Sequence, residues 1–137
     1  MRLPTVTDAD FLLGYLNPDF FAGGTMTIDR ASAEGAVKTL AAKTGLTVPE
    51  VAWGIHSVVN ENMAAAARVH VAERGHHASE FALLVTGGGG PLHGCEVARR
   101  LGIDKVICPP SAGVASALGL LMAPARVDRV ATLACKL

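Results

Sequence analysis

Aromatic residues make up only 4% of the sequence, and lysine plus arginine (12) balance aspartate plus glutamate (12), so the formal net charge is zero. Without a basic surplus there is no electrostatic footprint for nucleic acid or for an anionic membrane surface, and both partner classes are set aside. The three cysteines, Cys95, Cys108 and Cys135, are widely spaced and never form a Cys-x-x-Cys pair. That pattern excludes a disulfide framework and a zinc knuckle and fits reduced thiols in the cytoplasm. The longest mainly apolar run, Ala112 to Ala125, is too short to span a bilayer, and the N-terminal residues show no basic segment followed by an apolar one. No Gly-Lys-Ser/Thr follows a glycine-rich turn, and no Gly-x-Gly-x-x-Gly spacing occurs, so neither common phosphate-binding signature is present.

What is present centres on Phe81 to Val97, FALLVTGGGGPLHGCEV. Phe81 to Val85 has the length and apolarity of a buried parallel strand, and Pro91 is preorganised for the first turn of a helix carrying Val97 and Leu101. Gly87, Gly88, Gly89 and Gly90 join the two, and glycines permit positive φ angles and close approach of a ligand. The helix start beyond them offers unpaired N–H groups and a positive dipole end, the outline of an anion site. A packing role for the same glycines stands beside that reading. His93, in the first turn of this helix, reaches either a phosphate or a neighbouring helix.

The rest of the chain reads as support. Thr7 caps a short helix from Asp8 to Leu16 with Asp10 in a capping-box position, and Asn17-Pro18 stops it. Asp19 to Thr27 is an irregular crossing pinned to the core by Phe20 and Phe21. Asp29 caps a helix to about Lys43 that Gly45 ends, and Thr47 with Glu50 starts the longest helix, running to about Glu73. Its inward stripe is predicted as Val51, Ile55, Val58, Asn62, Ala66 and Val69. Asn62, the one polar member, either bonds a backbone group or faces a ligand cleft. Lys105 to Cys108 is a second short strand, completing a βαβ unit whose loops open on one edge of the sheet. Val114 to Met122 follows as an apolar helix, and Arg126 to Leu133 as an edge strand. The reading is α/β, one domain over residues 1–137. His56 and His70 lie about four turns apart on one helix, and no metal site is expected within the chain.

Pro4-Thr5-Val6-Thr7-Asp8-Ala9, Asn60-Glu61-Asn62-Met63, Val71 to Gly75, the Gly87 to His93 segment and Ser116-Ala117-Leu118-Gly119 together resemble the hydantoinase A / 5-oxoprolinase family. That family includes ATP-dependent hydantoin-opening enzymes and the acetone-type carboxylases. The resemblance implies part of an actin-like, ribonuclease-H-like ATPase fold, in which ATP, with magnesium, activates a cyclic amide or a ketone by phosphorylation of its oxygen. It places Gly87 to Gly90 against nucleotide, with Thr7, Asp8, Asn62 and His93 as further contributors. The chain departs from the family in having Gly89 third in the loop, where a small non-glycine residue is usual, and Thr86 before it, where an aromatic is usual. The family's N-terminal phosphate motifs are also missing from these residues. The chain is therefore expected to be the C-terminal portion of a larger hydantoinase A-like domain, inactive alone and completed by the remainder of that domain or a second subunit. The alternatives are a non-catalytic assembly module of such a hydrolase or carboxylase, and a small α/β protein binding another anion.

Overall fold

A computed structural model describes residues 3–132 of the chain. The first helix, α1, spans Val6–Leu12 and is capped by Thr5, whose hydroxyl accepts from the Asp8 amide while the Asp8 carboxylate accepts from the Thr5 amide. The capping box is thus two residues earlier than the expected Thr7/Asp10 pair. This register commits Asp8 to the helix start and turns Asp10 inward, where only 3% of it is exposed. Pro18–Gly24 is a kinked 3-10 segment with no buried residue, and Phe20 is 69% exposed, so the expected pinning of this crossing by both phenylalanines is not found. Phe21 alone is partly covered.

Helices α2 (Arg30–Thr44) and α3 (Val48–Ala72) form where their end signals place them. Asp29 caps α2, Gly45 closes it in the left-handed conformation, and Thr47 and Glu50 make a reciprocal capping box on α3. The long α3 is the spine. Its first turns join Val37 and Ala41 of α2 through Val51, with Leu12, Leu40 and Ile55 around them. Its later turns pack Ala64 on Val97 and Leu101. Full burial of a valine such as Val37 contributes about 1.5–3 kcal/mol.

The βαβ unit is present: β1 (Leu83–Leu84), α4 (Gly90–Leu101) and β2 (Val106–Ile107), with the strands parallel. Leu83 N–H donates to Lys105 O and Val85 N–H to Ile107 O, both at 2.9 Å. Helix α4 is fastened to α3 by Arg100, which donates to Ser57 Oγ at 2.7 Å and pairs with Glu61 Oε2 at 3.2 Å. The close approach of α4 to the sheet depends on Gly94, since a Cβ there would sit 2.5 Å from Val85 Cγ1.

The sheet is not buried as expected from its apolarity. Leu84 is 60% and Ile107 51% exposed, because no third strand or further layer covers them among the described residues. The following helix, α5 (Ala115–Met122), has no buried residue. Residues 126–132 contain no strand, and Leu133 of the expected edge strand lies outside the described residues. Among the described residues, no helix is long and apolar enough to cross a membrane.

Candidate functional site

Between the two apolar clusters of α3 lie His56 and Asn60, both 0% exposed. With Ala52 and Ala64 they form an i, i+4 row, and the two small residues let α1 and α4 come close on either side of the polar pair. From the middle of α3 onward this row, not the one containing Asn62, is the buried one; of the expected stripe Val51 is buried and Ile55 partly so, both at the start of the helix. Asn62 is exposed, as are Val58 and Val69 of the expected stripe. Hydropathy alone selects valines over a row bearing histidine and asparagine, and here packing selects the reverse.

Asp10 from α1 and His93 from α4 complete the cluster. His56 Nδ1 lies 2.7 Å from Asp10 Oδ1, and His93 Nε2 lies 3.4 Å from Asp10 Oδ2. His93 Nδ1 lies 2.9 Å from Asn60 Oδ1. The two imidazoles stack at 4.9 Å between centroids, and Tyr15 and Trp53 flank His56 at 5.0 and 5.7 Å. His56 Nε2 and Asn60 Nδ2 are buried with no hydrogen-bond partner. A buried polar group left unpaired costs about 1–3 kcal/mol, so this layer does not maximise stability.

The glycine loop passes directly beside it. Gly87 alone of the four takes a positive φ, +81°, and its N–H donates to Ala112 O at 2.8 Å, tying the loop to the turn after β2. A Cβ at Gly87, Gly88 or Gly89 would meet no atom within 4 Å. The packing explanation for glycine therefore applies at Gly94 and not at Gly88 or Gly89, which border open space. Gly89 begins α4 without a side-chain cap. A pocket of about 300 Å³ is lined by Thr7, Asp10, Phe21, Gly88, Gly89 and His93. A second, of about 470 Å³, is lined by Met63, Val85, Gly89, Gly90 and His93 among others.

Of the residues singled out from sequence, Thr7, Gly88, Gly89 and His93 line the first pocket and Gly89, Gly90 and His93 the second, while Gly87 lines neither and is held to Ala112. Asp8 does not join them: it lines a different depression, with Ile28, Asp29 and Ser32 of the α2 start. Asn62 is on the outer face of α3, and its place in the cluster is taken by Asn60 one half-turn earlier. Asp10, His56 and Asn60 were not expected at the site: the sequence puts Asp10 in a capping position, pairs His56 with a distant His70 and shows Asn60 only within a motif, although the i, i+4 spacing of His56 and Asn60 between alanines was an available signal. His70, about four turns along α3 from His56, is exposed and paired with Arg74.

A parallel β–glycine loop–α–β unit laid on a long helix, with a buried Asp/His/His/Asn layer beneath the loop, is an α/β arrangement. The profile of the hydantoinase/oxoprolinase family matches residues 1–129, and the chain belongs to that family. It is 42% identical over 117 residues to the acetophenone carboxylase gamma subunit of Aromatoleum aromaticum, covering 85% of this chain and 16% of that protein. Its fold matches the nucleotide-free structure of acetone carboxylase, from work on ATP-dependent acetone carboxylation, with a TM-score of 0.77 at 34% identity over 84% of this chain and 16% of that one. It matches the ATP-dependent caprolactamase of Pseudomonas jessenii with a TM-score of 0.76 at 35% identity over 85% of this chain and 17% of that one. The chain thus spans about one sixth of the length of these relatives.

Proposed function

We propose that this chain is the C-terminal portion of an actin-like ATPase domain in an ATP-dependent enzyme of the hydantoinase/oxoprolinase family, and that its glycine loop supplies part of the nucleotide-binding surface. The substrate would be a cyclic amide or a ketone, activated through its oxygen. The observation that carries the reading is the open space over Gly87, Gly88 and Gly89 at the end of β1 and the uncapped start of α4. Backbone amides at such a helix start suit a phosphate group. ATP bound there supplies the phosphoryl group; this chain's part is to position it.

Magnesium fits these residues poorly. It prefers oxygen ligands in octahedral geometry. Asp10 is the one carboxylate among the described residues lining the loop pocket, and it is engaged with two imidazoles, while Asp8 is held by Thr5. Anchoring of that ion, and catalysis, falls to the remainder of the domain or to a second subunit. The exposed faces of β1, β2 and α5 fit burial against that remainder, and the free thiols of Cys95 and Cys108 fit a cytoplasmic setting.

The test is calorimetric titration of the purified chain with ATP and ADP in magnesium, beside Gly88→Val. Gly88 has neither a positive φ nor a close neighbour, so this substitution leaves melting unchanged. Saturable binding lost in Gly88→Val is the expected result. Absence of binding by the wild-type chain refutes a working nucleotide surface in these residues and favours an assembly module that serves only to pack against its partner.

A further inference from the structure

We propose that Asp10, His56 and His93 form a binding site for one divalent transition ion of the zinc class. Two imidazole nitrogens and one carboxylate oxygen are the donor set of catalytic zinc sites, and they favour such an ion over magnesium or calcium. The three ligand atoms lie within 4.8 Å of one another, on three buried side chains from three different helices. Zinc–ligand bonds of about 2.0–2.1 Å in tetrahedral geometry separate neighbouring ligand atoms by about 3.3 Å. His93 Nε2 and Asp10 Oδ2, 3.4 Å apart, already stand at that spacing. The same 3.4 Å is long for a direct hydrogen bond. His56 Nδ1 stands 2.7 Å from the other carboxylate oxygen, Oδ1, so the carboxylate has to turn, giving up that contact, for Oδ2 and the imidazole to share the ion.

The neighbour of His93 points the same way. With Asn60 Oδ1 accepting from His93 Nδ1–H, the other ring nitrogen presents a lone pair to a carboxylate oxygen. Two acceptors facing each other need a cation or a proton between them. A ligating histidine whose second ring nitrogen donates to a carbonyl is the usual supporting arrangement at metal sites, and Asn60 is the positioning residue here. Asp10 and His93 also line the pocket beneath Gly88 and Gly89, so the ion's remaining coordination position opens there, to water or to the oxygen of a ligand. The competing arrangement is a proton in the ion's place, with the amide of Asn60 turned the other way round.

The chain, stripped with chelator and without nucleotide, is titrated with cobalt(II) followed optically, then with zinc in competition, and bound metal is counted by mass spectrometry of the elements. One equivalent per chain is expected, with visible d–d absorption and no thiolate-to-cobalt charge-transfer band. Asp10→Asn and His93→Gln abolish binding. Asn60→Ala weakens it about 10–100-fold. Replacement of all three cysteines by serine leaves it unchanged. Failure of the wild-type chain to take up an equivalent, a thiolate band, or binding that survives Asp10→Asn overturns the site. If the buried variants do not fold, wild-type stoichiometry and the cobalt spectrum still decide. Nucleotide titration reads the glycine loop separately, so either proposal can fail without the other.

Discussion

Replacing Gly94 by alanine places a methyl group where α4 crosses the end of β1, and the geometry sets both the sign and the size of the effect. The added Cβ would stand 2.5 Å from Val85 Cγ1, with Val85 Cβ at 3.4 Å and Cγ2 at 3.5 Å. Val85 is buried and β-branched, so it has no free rotamer into which to retreat. Overpacking of this kind costs about 1–3 kcal/mol. Alanine in a helix interior gains about 1 kcal/mol over glycine, leaving a net loss of about 0–2 kcal/mol. The discriminating measurement is a double-mutant cycle by urea denaturation. In a Val85→Ala background the obstructing Cγ1 is gone, and Gly94→Ala should stabilise by about the full 1 kcal/mol. A coupling of about 1–3 kcal/mol between the two positions is the expected result. If Gly94→Ala stabilises equally in both backgrounds, helix α4 does not lie against β1 as described, and the placement of the glycine loop and His93 fails with it.

Three further outcomes check the register of the site and of the caps. Asn60→Ala should cost about 1–3 kcal/mol in denaturant unfolding, because it removes the partner of buried His93, whereas Asn62→Ala should change stability by less than about 0.5 kcal/mol. Thr5→Ala should cost about 0.5–2 kcal/mol through loss of the α1 cap, and Thr7→Ala, exposed and outside the capping box, should be near neutral in the same assay. The Thr47 hydroxyl, and then the Thr47 backbone amide, hold the Glu50 carboxyl below its ordinary value of 4.5. A lowered folded pKa means that the box contributes stability above the ordinary value and loses it as pH falls through the folded one. An NMR titration of Glu50 should show a midpoint below 4.5 that rises in Thr47→Val; a midpoint unmoved by that substitution refutes the assignment to Thr47.

Local chemistry wrote much of the fold into the sequence. Asp29, Gly45, Thr47 with Glu50, Pro91 and Gly102 are start and stop signals whose action depends on a few neighbouring residues, and α2, α3 and α4 end where they place the boundaries. The βαβ unit was legible for the same reason: an apolar run, a glycine turn and an amphipathic segment are each local patterns. The box on α1 was misplaced because Thr5 and Thr7 both stand three residues before an aspartate, and only the formed helix distinguishes them. The exposure of β1 and β2 was not legible, since apolarity reports what a strand is built to bury and not which layer is at hand.

The sequence by itself determined the helices α2 to α4, the glycine loop and, through its motifs, the family. Tertiary structure alone decided which face of α3 is inside, and therefore that His56 and Asn60 meet Asp10 and His93. Those residues come from three helices, with a sequence separation of 46 from Asp10 to His56 and of 33 from Asn60 to His93. No local pattern links positions so far apart. Their meeting is set by how closely α1 and α4 pack on the small residues Ala52 and Ala64, a property of assembled surfaces and not of any one segment.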